Sequence, residues 1–312
     1  MKGFPGRELS LDPGRSKFER MYANLLGAPA NGLRIRLRRV LPATDGSCQK
    51  ILDAGCGSGV FSYELAKRHP EAQVTGVELE PDLVARANEI ARRAHLTNCH
   101  FEQGDVTKLD FDSEFDLVVS VDNFEHVEDD IAAMRTLLRA LRPGGRLVAH
   151  VPGYERRWIL LSRRVNFDVP GHVRPGYRAE DLVRKLGEAG FQVTAHQYTY
   201  GPLETLTNNI SYLITGADQR RKLQYAAVFP VLLAVSYLGK FSRPRWGAGV
   251  LAVARRPATD AADTDAPGAS AASRDTSSRD TSSRDASSRD TSSRDASSRD
   301  ASSRDASTSG IA

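Results

Sequence analysis

The sequence predicts an α/β fold, a seven-stranded, mostly parallel sheet with helices on both faces, from three observations. Between residues 50 and 200, short apolar runs alternate with amphipathic stretches across brief links, the pattern of a sheet covered on both sides. The first run, Lys50-Ile51-Leu52-Asp53-Ala54, passes directly into alternating glycines. One further apolar run, Gly249 to Ala254, returns after a long interruption.

In chain order, residues 1–44 read as a polar lead-in and a basic helical stretch around Ala23 to Val40. The core, residues 45–200, opens with the strand Lys50 to Ala54 and a helix from Val60 to Arg68. Gln73 to Val77 is the second strand. Pro81 then suits a helix start, where its missing N–H would have no partner anyway, and Asp82 to Ala94 continue that helix. Strands follow at His100 to Gln103, Asp116 to Val121 and Arg146 to Val151, with a helix from Asp129 to Leu141 closed by Pro143-Gly144-Gly145;. Residues 152–178 are irregular. A helix from Ala179 to Ala189 stops at Gly190, and Phe191 to Gln197 is a strand. Residues 201–247 have a mostly helical pattern and read as a cap inserted before the last strand, within residues 248–257;. Residues 258–312 hold one aliphatic side chain larger than alanine, Ile311, and no aromatic; from Ser273 to Asp305 they repeat Ser-Ser-Arg-Asp-Thr/Ala. Such a tail buries too little apolar surface to offset its ordering entropy, so disorder is expected there.

The chain carries a net charge of +4. Because its tail holds more aspartates than arginines, the remainder is more basic than that figure. The excess gathers at Arg34, Arg36, Arg38 and Arg39, at Arg156, Arg157, Arg163 and Arg164, and across residues 220–245. That bias suits acidic small molecules or an anionic membrane as readily as nucleic acid. Cys48, Cys56 and Cys99 have neither metal-ligand nor disulfide spacing;. The residues from Met1 to Gly6 lack the apolar core of a signal peptide;, so a cytoplasmic protein is expected. Tyr225 to Gly239 form a charge-free run of 15 residues broken by Pro230, short of the ~20 that span a bilayer. The favoured expectation is a buried helix that packs the cap onto the sheet. The other, suggested by the flanking Arg220, Arg221, Lys222, Lys240, Arg243 and Arg245, is peripheral contact with the inner face of the membrane through residues 220–245;.

The sharpest local signal is Asp53-Ala54-Gly55-Cys56-Gly57-Ser58-Gly59. Glycines let a chain turn tightly and approach a ligand, and the helix that follows offers free N–H groups. The spacing is G-x-G-x-G rather than the G-x-G-x-x-G of dinucleotide enzymes. Glu78 ends the second strand where a carboxylate can accept from two ribose hydroxyls;. Asp105, after the third strand, could accept from an adenine amino group.

Taken together, Ile51 to Gly59, Val74 to Leu79, Gly104-Asp105-Val106, Phe115 to Val121 and Leu141-Arg142-Pro143-Gly144-Gly145 resemble the ordered motifs of class I S-adenosylmethionine-dependent methyltransferases, with their Rossmann-like sheet. Within them the chain is most similar to the broad type 11 branch of small-molecule enzymes, in which a segment ending in Glu-His follows the fourth strand. The resemblance implies S-adenosylmethionine as cofactor. It places Gly55, Gly57 and Gly59 against the methionine part, has Asp53 orient the loop or the amino group, and gives the ribose to Glu78. It has Leu79 and Val106 sandwich the adenine, Asp105 bind its amino edge and Asp122 sit beside the sulfonium.

Two segments are candidates for catalysis. In Asp122-Asn123-Phe124-Glu125-His126, His126 is a candidate base or a structural histidine;. Asp122, Glu125 and His126 also echo the metal-binding spacing of quinone O-methyltransferases, though an Asp replaces the usual first Glu, and no metal ligand is assigned. In the segment Phe167 to Tyr177, His172 could accept a proton, Arg174 could clamp a carboxylate or phosphate, and Tyr177 completes a His-x-Arg-x-x-Tyr stretch that the branch often carries. The expected activity is methyl transfer, on oxygen, to a small-molecule, glycan or lipid-linked acceptor. The alternatives are a nicotinamide-dependent oxidoreductase and a non-catalytic cofactor-binding module. Nucleic acid is disfavoured because no Asn/Asp-Pro-Pro-Tyr/Phe motif follows the fourth strand.

Overall fold

The computed structural model describes residues 4–154, 171–215, 222–242 and 244–258. The repeat tail, the arginines at 156, 157, 163 and 164, the residues from Phe167 to Pro170, and Arg220, Arg221 and Arg243 lie outside the described residues.

Seven strands, β1 (Lys50–Ala54), β2 (Gln73–Glu78), β3 (Cys99–Gln103), β4 (Phe115–Val121), β5 (Leu141–Pro152), β6 (Gln192–Thr199) and β7 (Gly249–Arg255), form one sheet in the order β3-β2-β1-β4-β5-β7-β6. All neighbouring pairs are parallel except those of β7, which runs antiparallel between β5 and β6. The chain works outward from β1 to β3 and then restarts at β4, so a crevice opens between β1 and β4 at their carboxyl ends. That is where open α/β sheets bind ligands.

Successive residues of a strand point to opposite faces, and this builds two cores. Leu52 and Val118 join a cluster with Phe124, Met134 and Leu182, on the side of α5 (Asp130–Ala140) and α6 (Ala179–Glu188). Ile51, Leu117 and Val119 join Tyr63, Leu65 and Ile90, on the side of α3 (Val60–Arg68) and α4 (Pro81–Arg93). The predicted strands and helices stand within a few residues of these limits. The exception is the Pro143-Gly144-Gly145 stretch, which is drawn into β5 because Leu141 already pairs with Phe115.

The basic stretch predicted as one helix is two, α1 (Lys17–Leu26) and α2 (Asn31–Val40). Its arginines are not a surface patch. Arg34 donates to Pro5 O at 2.7 Å, and Arg38 and Arg39 converge on the fully buried Glu204 at 2.7 and 2.8 Å. Glu204 belongs to α7 (Pro202–Thr215), which with α8 (Lys222–Leu238) forms the insertion before β7. Asn31 N donates to Tyr225 Oη at 3.0 Å, and Asn31 Nδ2 to Thr207 Oγ1 at 3.1 Å. The lead-in and the insertion therefore pack as one helical layer.

Pro230 does not break α8, contrary to expectation. A proline frees the carbonyl four residues earlier, and that carbonyl, Ala226 O, accepts from Tyr22 Oη at 2.7 Å. Nor is α8 a buried helix. The apolar helix runs for 19 residues, Leu223–Phe241, with mean hydropathy 1.3, and only 28% of its most apolar 18-residue window is buried.

Candidate functional site

The glycine loop sits at the crevice. Gly55 and Cys56 N–H groups both donate to Val77 O, at 2.9 and 3.0 Å, folding the loop over the end of β2. Gly55 has φ 74°, which favours glycine, and a Cβ there would meet the Asn123 carboxamide at 2.4 Å and force that side chain to move. Gly57 has φ 54°, yet a Cβ would meet nothing within 4 Å. The room beside Gly57 is the cradle that a ligand close to the backbone requires. Gly59 caps α3, closely approached by Phe101 and Tyr63.

Glu78 closes that cradle. Its Oε2 accepts from Gly57 N at 2.7 Å, and its Oε1 from Leu79 N at 2.9 Å and Glu80 N at 3.3 Å. The carboxylate is thus held at the mouth of the loop by the backbone, with one lone pair, on Oε2, left for a hydroxyl donor;. Leu79 beside it is 59% exposed, while Val106 is buried in the core. Asp105 turns onto Thr107, taking its N–H at 2.9 Å and its hydroxyl at 2.7 Å through Oδ1; these bonds hold the carboxyl below the usual range.

Asp53 is buried beneath the loop rather than turned into it. Its Oδ2 accepts from Ser62 Oγ at 2.6 Å, and the Ser62 N–H also donates to it, tying the end of β1 to the first turn of α3. Burial pushes its carboxyl up to about 7, against the pull of the Ser62 bonds, with a smaller push from nearby Glu78. Burial likewise raises the Cys56 thiol within the loop, so it stays protonated.

Asp122 follows β4 with φ 49°, a conformation that costs an L residue about 1–2 kcal/mol. The strain places its carboxylate between two partners the sequence had not assigned. Oδ1 meets His150 Nδ1 at 2.6 Å, and Oδ2 pairs with Arg36 of α2. Burial disfavours the Arg36 charge, but Asp122 together with Tyr200 and Tyr212 raises the guanidinium above its ordinary range, so it stays protonated. His150, fully buried in β5, reaches Thr199 Oγ1 at 2.9 Å with its other nitrogen. Its signal in the sequence was a lone ionisable residue in the apolar run Leu147 to Val151.

Asp122 is therefore engaged elsewhere and does not join Glu125 and His126, which corrects the metal-like spacing read from the sequence. His172 joins them instead, and one ligand atom from each of the three lies within 4.8 Å of the others. The rings of His126 and His172 meet edge to face at 4.6 Å. Two backbone-level bonds zip the segments together: His126 Nδ1 to Gly171 O at 2.9 Å, and Val173 N to Glu125 O at 2.9 Å. The Gly171 carbonyl can only accept, so His126 Nδ1 carries the hydrogen and Nε2 presents a lone pair.

Arg174 and Tyr177 depart from their predicted roles. Arg174 donates to Phe124 O at 2.6 Å and Glu128 O at 2.7 Å, and pairs with Asp130 at 3.1 Å. Tyr177 is buried, donates to Asp130 Oδ2 at 2.7 Å, and accepts from Arg174 at 2.9 Å. Burial and Asp130 drive its hydroxyl well above the ordinary range. Both side chains brace the Phe124–His126 turn, and of the three predicted residues His172 stands beside the candidate base.

A family model described as a methyltransferase domain matches residues 45–172. Trans-aconitate 2-methyltransferase of Deinococcus radiodurans is 35% identical over 215 residues, 69% of this chain and 73% of that protein. The 27-O-demethylrifamycin SV methyltransferase of Amycolatopsis mediterranei is 35% identical over 114 residues, 36% of this chain and 41% of that protein. The chain spans only about two fifths of the length of several curated relatives that it matches. Among solved structures, the O-methyltransferase from a trans-AT PKS multienzyme of Brevibacillus brevis, in complex with S-adenosyl-L-homocysteine, superposes with a TM-score of 0.51 at 15% identity, over 82% of this chain and 81% of that one. At that identity the likeness concerns the fold. The cradle beside Gly57, the carboxylate at its mouth and the long match to the D. radiodurans enzyme agree: the chain belongs to the class I S-adenosylmethionine-dependent methyltransferases.

Proposed function

We propose that the protein transfers a methyl group from S-adenosylmethionine to an oxygen atom of a small-molecule or lipid-linked acceptor. The observation that carries the reading is the tautomer of His126, whose Nδ1–H is engaged by Gly171 O, leaving Nε2 as a proton acceptor in the turn that follows β4. The cofactor supplies a methyl group on a positively charged sulfur, an electrophile that needs no further activation. Gly57 and Glu78 would hold it, and Glu125 lies buried beside the two histidines. The acceptor hydroxyl gives its proton to Nε2 as its oxygen takes the methyl group. The remaining work of the site is alignment and exclusion of water. Family membership leaves the nicotinamide-dependent alternative without support, and the words "O-methyltransferase" in the names of two fungal relatives favour oxygen.

His126→Asn keeps a donor for Gly171 O and removes the basic nitrogen. With labelled S-adenosylmethionine and a panel of hydroxylated aromatic acceptors, turnover should fall roughly 10²–10⁴-fold, with S-adenosylhomocysteine affinity unchanged by calorimetry. Wild-type turnover in that variant would remove the proton-acceptor role. Absence of turnover in the wild type across acceptors would favour the non-catalytic module.

A further inference from the structure

We propose that α8, together with α1, is a docking face for an anionic lipid bilayer, against which the protein lies flat. The inference goes beyond the methyl-transfer reading and does not rest on it. Burial along α8 follows one helical stripe, Tyr225, Phe229, Leu232 and Ser236, packed toward α1, α2 and α7. On a surface helix the opposite stripe is normally polar. Here it is apolar: Leu223 is 70% exposed, Val231 62%, Leu238 61% and, just past the helix, Phe241 77%. No acidic or basic residue interrupts it from Leu223 to Gly239. On α1, Phe18, Met21 and Leu25 stand exposed at helical spacing; Phe18 touches Tyr22, whose hydroxyl reaches Ala226 O on α8. Apolar patches this extended are rare on proteins that work alone in water.

Charge selects the occupant. No Asp or Glu occurs between Asp218 and Asp260, while Arg220 and Arg221 precede the helix in sequence, Lys222 begins it, and Lys240, Arg243 and Arg245 follow it. Lys240 Nζ lies 4.1 Å from the Tyr237 ring centroid and 4.8 Å from that of Phe241, and donates to Tyr237 Oη at 2.7 Å. An ammonium on a flexible stem beside exposed aromatic rings is the arrangement that meets lipid headgroups. A second copy of the chain would set basic flanks against basic flanks in either orientation, whereas anionic headgroups neutralise both. The helix is long enough to cross a bilayer, but its inner face is tied down by charge. Arg38 donates to Ser236 O at 2.9 Å and Arg39 to Gly239 O at 2.8 Å, and both bind Glu204. A crossing helix would drag these ions into hydrocarbon or abandon them, so α8 lies in the interface.

The test is flotation of the full-length protein with phosphatidylcholine vesicles, alone or mixed with phosphatidylglycerol. Binding should be at least ~10-fold stronger to the mixed vesicles and should weaken with salt. Val231→Glu with Leu238→Glu, both on the exposed stripe, should lose that binding while the melting temperature and S-adenosylhomocysteine affinity hold. Lys240→Glu should reduce only the preference for the anionic lipid. No binding to mixed vesicles, or equal binding by the double variant, overturns the proposal. So does a dimer in sedimentation that the double variant dissociates without any vesicle binding, which would assign the face to a second copy.

Discussion

Burial raises the Asp53 carboxyl to about 7 from an unfolded value near 3.8. Between those values the folded chain holds a proton that the unfolded chain has released, so stability falls as pH rises through the window, by about 1.4 kcal/mol per unit. Below pH 4 both states are protonated and the contribution is flat. Asp53→Asn should flatten the slope of unfolding free energy between pH 4 and 7, read from urea titrations; an unchanged slope would place the group elsewhere. The loop glycines separate in the same way. Gly55→Ala drives a methyl group into Asn123 at 2.4 Å and should lower both stability and cofactor affinity. Gly57→Ala has open space, so its folding cost should be only the ~1–2 kcal/mol of a left-handed alanine, while S-adenosylhomocysteine affinity drops by more. Calorimetry and thermal melts on both variants separate the roles; equal losses would mean that the cradle is not where the cofactor lies.

At the scale of elements, the turn Phe124–His126 shows why part of the site was legible. Glycine spacing, terminal acids and strand periodicity are local patterns, and the limits of β1 and α3 follow them residue for residue. What holds the turn is not local. Arg174 reaches back 50 residues to Phe124 O, and a side chain that grips its own backbone looks, in sequence, like one that grips a substrate. Arg174→Ala should cost roughly 1–3 kcal/mol of stability, the range for a lost buried hydrogen bond, and should lower turnover by loosening His126 without changing the affinity of an acidic acceptor. An affinity loss with normal stability would restore the substrate clamp.

Across the whole molecule, the largest departure from the sequence reading is the helical layer. The lead-in and the insertion lie some 170 residues apart, and nothing periodic in either announces that Asn31 will meet Thr207 or that Arg38 and Arg39 will share Glu204. Separate patterns predicted separate pieces, and a buried ion cluster makes them one. It is also through this layer that Arg36 arrives at Asp122, from a helix that precedes the first strand.

One detail of β7 carries an evolutionary corollary. A Cβ on Gly249 would press on His150 Nε2 at 2.7 Å and on Thr199 Oγ1 at 2.4 Å. Positions 150, 199 and 249 therefore form a steric trio whose members cannot drift one at a time. Descendants gain freedom at 249 only by trading both the imidazole and the threonine hydroxyl for smaller groups, and lineages that keep either must keep the bare backbone opposite.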